Sequence, residues 1–252
     1  MKGITASFYR EYKIRISSPR IFVENIANPI FILLIFGLTL GNTMGTMTSY
    51  TEKNISYINF FVIGAINISL ISNALVAATK MFLDKYIGLY EEFLSYPVKR
   101  SDILLGKLAF NLLLSLIQSI IMMSFVQIIT GFSGLNFYKS ILLLLLSVIG
   151  SSTWFFSMMI MAIKLKTQDA FNTMYFLIMT PIIFTSSIYY PINKMPYLLR
   201  IPAYINPLSW LTDIGRYIYI GMPTEFLIFK VIGIIAILII SSILSIRLFN
   251  KA

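Results

Sequence analysis

Long apolar runs, separated by short polar or proline-rich segments, make up most of this chain. A helix needs about 20 mainly apolar residues to cross the hydrocarbon core of a bilayer, which is about 30 Å thick. No Lys, Arg, Asp or Glu lies near the middle of the qualifying runs, where each would cost about 2.5–3.5 kcal/mol on insertion scales. The runs are residues 24–42, 58–80, 103–130, 138–163, 170–189 and 226–246. The pattern predicts an all-α, polytopic membrane protein with six transmembrane helices in a single domain over residues 1–252.

The composition agrees with this prediction and excludes several kinds of chemistry. Of the 252 residues, 58% are hydrophobic and 12% are charged, and the mean hydropathy is +0.82. Soluble domains usually carry about 25% charged residues. The chain has no Cys, which excludes a disulfide framework and a thiolate nucleophile, and no His, the commonest general base and metal ligand. We therefore expect no catalytic residue, no metal and no cofactor.

The net charge of +10 is compatible with nucleic-acid binding or with a membrane, and the positions of the charges distinguish the two. With six spans, both termini lie on the same side. If that side is the cytoplasm, the inner segments carry 14 of the 20 basic residues and the outer segments carry six. This satisfies the positive-inside rule in one orientation only. We predict a multi-pass protein of the cell membrane, with both termini cytoplasmic and no role for nucleic acid.

The N-terminal segment predicts an interfacial helix. At 100° per residue, residues 3–18 place an apolar face opposite a basic face, as expected for a helix lying on anionic lipid headgroups, and the interfacial region extends over 1–20. The alternative is a disordered basic tail. The apolar face comprises Ile4, Phe8, Tyr9, Tyr12 and Ile16, and the basic face comprises Lys2, Arg10 and Lys13.

Residues 81–101 form the only sizeable inner loop. The aromatic residues Phe82, Tyr86, Tyr90 and Phe93 recur with helical spacing, and Pro97 would end that helix. One interpretation is an interfacial turn with an aromatic belt. A short helix that contacts a soluble partner explains the Glu91-Glu92 pair better, because adjacent carboxylates would be repelled by anionic lipid.

Five of the nine prolines lie in the predicted outer segment, 190–225. The apolar pieces between them are too short to span the bilayer and too apolar for a free loop. They are typical of helices lying at, or dipping into, the outer interface, with Tyr and Trp side chains at headgroup level. Asp213 and Arg216 are three residues apart and are expected to pair.

The polar residues within the predicted spans are uncharged. They include Asn67, Asn73, Thr180, Thr185 and Ser186. Two interpretations stay open, namely hydrogen bonding between helices and the lining of a substrate path. Pro181 should kink the fifth span and create a place for a gate.

The chain contains no Gly-x-x-x-x-Gly-Lys-[Ser/Thr] loop, so it cannot bind nucleotide phosphates in the P-loop manner. A membrane-embedded enzyme would need paired carboxylates, a Ser/His pair or a metal cluster within the spans. The sequence offers none of these. A channel or receptor module that acts without ATP is a further alternative.

Two motifs resemble the membrane subunit of type-2 ABC exporters, especially the drug- and daunorubicin-exporter-like permeases. The inner loop is similar to the family pattern at Lys85, Gly88, Leu89, Glu91, Leu94, Pro97 and Val98, followed by Ile103-Leu104-Leu105-Gly106-Lys107. The distal pattern is matched by Phe184-Thr185-Ser186-Ser187, Tyr190-Pro191, Met195-Pro196, Asn206-Pro207-Leu208 and Arg216, with Ser187 where the family has Gly.

The resemblance implies a role for each group of residues. A cytoplasmic coupling helix, 84–97 within the loop 84–101, would dock into a separate ABC-type ATP-binding subunit through Lys85, Gly88, Glu91, Glu92, Phe93 and Pro97. A second permease chain, in a homodimer or a heterodimer, would complete a transport path at Asn67, Asn73, Thr180, Pro181, Thr185 and Ser186. Re-entrant helices would cap the outer side at Pro191, Pro196, Asn206, Pro207, Asp213 and Arg216.

The expected function is outward movement of an amphipathic, drug-like, peptide or lipid-linked substrate, driven by ATP that the partner hydrolyses. An alternative within the same superfamily is a permease for polysaccharide or teichoic-acid-type export.

Overall fold

The computed structural model describes residues 2–16, 27, 29–37, 39, 46–48, 54–89, 98–130 and 136–251. Within these ranges residues 29–37 are helical, and eight further α-helices are described. These are α1 (Lys2–Ile16), α2 (Tyr57–Tyr86), α3 (Arg100–Thr130), α4 (Phe137–Lys164), α5 (Gln168–Phe184), α6 (Tyr197–Ile205), α7 (Pro207–Ile220) and α8 (Leu227–Lys251). A 3₁₀ turn occupies Ile192–Lys194, between α5 and α6.

Four of the described helices, α2, α3, α4 and α8, are long and apolar enough to cross a membrane. They contain 30, 31, 28 and 25 residues. At 1.5 Å per residue the shortest is about 38 Å long, which exceeds the hydrocarbon thickness. They correspond to the second, third, fourth and sixth predicted spans. Each extends past its predicted bounds by one to six residues at one or both ends, because the helical backbone continues into the headgroup region.

The fifth predicted span is shorter than expected. Helix α5 has 17 residues and ends at Phe184, five residues before the predicted end at 189. Pro181 therefore lies in the last turn of the helix rather than at a mid-span kink. Of the first predicted span, 24–42, the structure describes residues 27, 29–37 and 39, and the remainder lies outside the described residues.

The all-α prediction needs one correction. In the loop before α2, strands β1 (Thr46–Thr48) and β2 (Asn54–Ser56) pair antiparallel, with Met47 opposite Ile55. The sequence predicted only a polar loop here, because three-residue strands are too short to show an alternating pattern.

The antiparallel order of the long helices gives the bundle two ends. At one, the α1 end, lie α1, the last turn of α2 and the first turn of α3. At the other, the α7 end, lie the β1–β2 hairpin, the start of α2, and helices α6 and α7. Helix α2 packs against α3 and α4, α8 packs against α4 and α7, and α1 packs against α3.

Helix α7 enters the bundle rather than lying flat on its surface. The Thr212 hydroxyl lies 3.5 Å from the side chain of Asn67, ten residues or about 15 Å into α2. Further along α7, Arg216 contacts Phe60, near the start of α2. The helix thus runs toward the start of α2 along its length, and Gly221 ends it with a positive φ of 68°.

Candidate functional site

Charged side chains from three helices meet at the α1 end. We call this set, Arg10, Glu11, Arg15, Lys80, Asp84 and Lys107, the α1 charge cluster. The Lys107 ammonium donates to Glu11 Oε1 and to Asp84 Oδ2, each at 2.7 Å. Arg10 donates to both carboxylate oxygens of Asp84, at 3.0 and 3.2 Å. These bonds join α1, α2 and α3 into one unit.

Glu11 is held ionised inside this cluster. Only 3% of the residue is exposed. Burial alone would raise the pKa of its carboxyl, but the neighbouring Lys107, Arg15 and Lys80 charges outweigh that effect and lower the pKa below its ordinary value. The carboxylate is therefore negative at neutral pH.

Gly106 allows α1 to approach α3 this closely. A Cβ at Gly106 would lie 2.5 Å from Ser7 Cβ and 2.7 Å from the Ile4 carbonyl oxygen. The Ser7 hydroxyl also donates to the Ile103 carbonyl at 2.9 Å. Gly106 thus leaves the space that α1 needs, and Lys107 forms the ion pair that binds α1 through Glu11.

This packing shows which side of α1 contacts the protein. The helix is confirmed over Lys2–Ile16, but Tyr9 and Tyr12, assigned to its apolar face, are 59% and 42% exposed. Glu11 and Arg15 are buried instead. In lipid the apolar side can face outward, whereas the charges need protein partners.

The structure places only two of the predicted coupling residues. Lys85 lies in the last turn of α2 and donates to the Ile163 carbonyl at 2.9 Å. Gly88 has a φ of 74° and, with Ile87, ends α2. Asp84 and Lys85 thus belong to α2 rather than to a separate helix starting at residue 84. The other four predicted residues, Glu91, Glu92, Phe93 and Pro97, lie outside the described residues.

Two of the predicted path residues, Asn67 and Asn73, lie buried in α2. Asn67 donates to the Ile63 carbonyl at 3.0 Å. Asn73 and Gln118 of α3 exchange amide hydrogen bonds at 2.6 and 3.3 Å. Asn73 also approaches Ser115, whose hydroxyl lies 2.8 Å from that of Ser151 on α4. In this conformation the side chain of Asn73 therefore joins neighbouring helices.

The other four predicted path residues lie near the end of α5. Thr180 and Pro181 are exposed, whereas Ser186 is buried and donates to the Ile183 carbonyl at 2.6 Å. Thr185 donates to the Pro181 carbonyl at 2.8 Å. Only the first two are open to a ligand or a second chain in this conformation.

Asn206 joins the predicted cap to α5. Its side-chain oxygen accepts from the Leu208 N–H at 2.9 Å, so it is the N-cap of α7, with Pro207 as the first helical residue. Its amide donates to the Ile182 carbonyl at 2.6 Å and to the Thr185 hydroxyl at 3.2 Å. Pro191 and Pro196 precede the 3₁₀ turn and α6, respectively.

The predicted pairing of Asp213 with Arg216 is weak, since the closest atoms are 3.9 Å apart. Asp213 instead accepts from Lys230 of α8 at 2.7 Å and from the Ser187 hydroxyl at 2.8 Å. The two short contacts link α7 to α8 and to the turn that follows α5.

Arg216 is almost fully buried and bonds mainly to backbone. It donates to the carbonyls of Phe60, Ser187 and Ile188 at 3.0, 2.6 and 2.7 Å. Its guanidinium carbon lies 3.4 Å from the centroid of the Phe60 ring. This one side chain holds together α2, α7 and the end of α5.

A cavity of about 260 Å³ lies beside these residues at the α7 end. It has both charged and apolar walls, and Asp213, Lys230 and Arg216 are already bonded to protein. The cavity is lined by Pro191, Ile192, Asn193, Tyr204, Asp213, Arg216, Met222, Pro223, Thr224, Glu225 and Lys230.

Sequence reasoning missed Lys230 and the α1 charge cluster. Lys230 lies near the start of the predicted span 226–246, where the sequence indicates only a basic residue at the end of an apolar run. Glu11 is the one acid of the strongly basic segment 2–20, and Lys107 follows directly on an apolar motif. The available signal was a charged residue among residues of the opposite charge, as at Glu11, or beside an apolar stretch, as at Lys107.

The structure defines a helical membrane protein with long antiparallel helices that could span a bilayer, a helix bound across one end and the helix α7 packed into the other. The chain belongs to the ABC-2 type transporter family, whose pattern matches residues 2–220. Its relatives include the inner membrane transport permease YadH of Escherichia coli K12, 23% identical over 81% of this chain and 78% of that protein. The ycf38 protein of Cyanophora paradoxa, also named as a transport permease, is 26% identical over 80% of this chain and 68% of its own length. The resemblance to type-2 ABC permeases is thus confirmed.

Proposed function

We propose that this chain is the membrane subunit of an exporter that moves an amphipathic substrate outward. A separate ATP-binding subunit supplies the energy. Family membership over residues 2–220 supports the transporter class. The absence of a P-loop from the sequence supports a partner chain that hydrolyses ATP.

The observation that carries the proposal is the α1 charge cluster. The loop between α2 and α3 is flanked by two helices of 30 and 31 residues. Asp84 and Lys107 fasten the ends of these helices together beside that loop at 2.7 Å. A force applied to the loop would therefore move α2, α3 and α1 as one rigid unit, which is the transmission that alternating access requires.

The exposed face of α5 is the proposed contact with a second permease chain and with substrate. Its residues recur with helical spacing and are predominantly apolar, with Thr180 and Pro181 among them. The face comprises Thr173, Phe176, Leu177, Thr180, Pro181 and Phe184, all exposed in this chain. An apolar surface with neutral polar groups fits an amphipathic or lipid-linked substrate better than a strongly charged one.

The proposal predicts that the loop 87–99 binds the ATPase through Phe93 and Glu91. Phe93→Ala should weaken association at least about tenfold, because buried aromatic anchors commonly account for that much binding energy. Glu91→Lys should do the same through charge reversal. Recovery of the ATPase is measured by co-purification from membranes that contain both subunits.

Phe137→Ala is the matched control, since Phe137 is 84% exposed at the opposite end of the bundle. It should leave recovery unchanged, and the permease purified alone should hydrolyse no ATP. Full ATPase recovery with both loop variants would contradict a coupling role for this loop.

A second prediction concerns orientation. The chain has no cysteine, so single cysteines can be introduced at Lys13 and Lys194, both of which are exposed. An impermeant thiol reagent applied to intact cells should label Lys194→Cys and leave Lys13→Cys unlabelled until the membrane is opened. Labelling only at position 13 in intact cells would reverse the proposed topology.

A further inference from the structure

Two cations of the α1 charge cluster have nitrogen atoms without a hydrogen-bond partner among the residues that the structure describes. Arg15 is 2% exposed, and among the described residues its Nε and Nη1 atoms have no hydrogen-bond partner. The buried Nζ of Lys80 also has none there. The nearest carboxylate oxygen to Arg15 is Glu11 Oε2, at 4.0 Å. A buried donor without a partner is costly, and a buried unpaired charge more so.

The carboxylates within the cluster are already used by other cations. Asp84 accepts from Arg10 at both oxygens and from Lys107. Glu11 Oε1 accepts from Lys107 at 2.7 Å. The cluster as described contains four cationic groups and two carboxylates, so it lacks up to two negative charges. Arg15 and Lys80 are the two cations of the cluster without a hydrogen-bonded carboxylate among the described residues.

Lys80, one of these two cations, lies near the depth of the lipid headgroups. Helix α2 has 30 residues and is about 45 Å long, which leaves about 15 Å outside a hydrocarbon core of about 30 Å. Shared between the two ends, this amounts to about five residues at each. Lys80 is six residues from the end of α2 at Tyr86, and so lies at the boundary between hydrocarbon and headgroups.

The exposed side of α1 also faces lipid at this level. Tyr9, Tyr12 and Ile14 are 59%, 42% and 41% exposed, as expected for an interfacial helix with its apolar side against acyl chains. Arg15 lies in the last turn of the same helix, within electrostatic reach of Lys80. Arg15 and Lys80 therefore lie at the same end of the molecule as the exposed apolar side of α1.

We propose that Arg15 and Lys80 bind the phosphate of an anionic phospholipid from the leaflet in which α1 lies. The planar guanidinium of Arg15 can donate two bonds to phosphate oxygens, and the Lys80 ammonium adds a compact charge. The single negative charge of the phosphodiester offsets one of the two excess positive charges, and bonds to both cations fasten α1 to α2. This site depends on the membrane position of α1, not on the exporter proposal or on the ATPase.

The test measures lipid binding to the full-length chain in detergent by native mass spectrometry. Phosphatidylglycerol is titrated against phosphatidylcholine, and inorganic phosphate is the free-anion probe. Wild-type protein should bind one phosphatidylglycerol at least about tenfold more tightly than phosphatidylcholine. Lys80→Gln and Arg15→Gln should each remove that preference. Lys13→Gln, which removes an exposed positive charge from the same helix, should change the affinity less than about twofold.

Thermal unfolding gives a second measurement. A dependence on lipid charge is not expected if Lys80 has only a structural role. In phosphatidylcholine nanodiscs Lys80→Gln should unfold at a higher temperature than wild type, because it removes an unpaired buried charge. Phosphatidylglycerol should raise the unfolding temperature of wild type and of Lys80→Arg, but not of Lys80→Gln. Comparison of Lys80→Gln with Lys80→Arg tests the lipid site even if Arg15→Gln fails to fold.

Three results would overturn the proposal. Equal losses of affinity in Lys13→Gln and Lys80→Gln would indicate diffuse attraction to the basic surface. A stabilisation by inorganic phosphate equal to that by phosphatidylglycerol would assign the site to free anions. No preference for phosphatidylglycerol in wild type would mean that carboxylates of the protein or of the ATPase complete the cluster.

Discussion

Replacing Lys107 by Met should lower the free energy of unfolding by roughly 3–5 kcal/mol, since it leaves buried carboxylates without their shared cation. Lys107 is 3% exposed and is bonded to both Glu11 and Asp84. Glu11 loses its strongest partner, whereas Asp84 keeps Arg10. The measurement is unfolding in mixed micelles, and release of α1 can be followed by limited proteolysis after the helix.

A double-mutant cycle separates the ion pair from the loss of packing. Glu11→Gln combined with Lys107→Met should cost less than the sum of the two single changes by at least about 1 kcal/mol, because the residues interact directly. Lys166→Met, at an exposed position at the same end of the bundle, should change stability by less than about 0.5 kcal/mol. Equal effects of Lys107→Met and Lys166→Met would show that the cluster does not hold α1.

The long spans could be predicted from the sequence because an apolar run of this length has one stable arrangement in lipid. With no water to bond to, the backbone must form its hydrogen bonds within the segment. The four helices that are long and apolar enough to cross a membrane all follow this rule. Helix α5 ends before the predicted bound because Thr185, Ser186 and Ser187 follow it with three hydroxyl side chains. The hydroxyls of Thr185 and Ser186 bond back to carbonyls of α5, and the Ser187 N–H bonds to Ser209 of α7.

The pairings of charges could not be predicted in the same way. Glu11 and Lys107 are 96 residues apart, and no local pattern indicates that they meet. The amphipathic pattern of α1 likewise does not indicate which of its charges turn toward protein, since its apolar face can contact lipid. Likewise the i, i+3 spacing suggested Asp213 with Arg216, but Lys230 from another helix lies closer to the carboxylate.

Arg216 at the α7 end should be the most sensitive single position there. Arg216→Met leaves the carbonyls of Phe60, Ser187 and Ile188 buried without this donor, each costing about 1–3 kcal/mol where no water replaces it. We expect a loss of roughly 4 kcal/mol in unfolding free energy. Arg216→Lys should recover little of it, because one ammonium cannot reproduce the geometry of three guanidinium nitrogens.

Arg200 provides a control of the same residue type with the same kind of acceptor. It donates to the carbonyls of Met195 and Asn193, both at 2.8 Å, but is only half-buried. Since water can replace those bonds, Arg200→Met should cost about 1 kcal/mol or less. Similar losses at the two positions would mean that burial of Arg216 is not the source of its effect.

The functional consequence of Arg216→Met should be confined to one end of the molecule. Its contacts join α2, α7 and the end of α5, while the α1 charge cluster lies at the far end of α2. We therefore expect substrate export to fall sharply in membranes where the variant is still inserted, with co-purification of the ATPase unchanged. If ATPase recovery fell in parallel with export, the variant would have unfolded the whole bundle, and Arg216 would be a general stability residue. Transport lost with the proposed ATPase still bound would instead place the effect of Arg216 on movements at the α7 end.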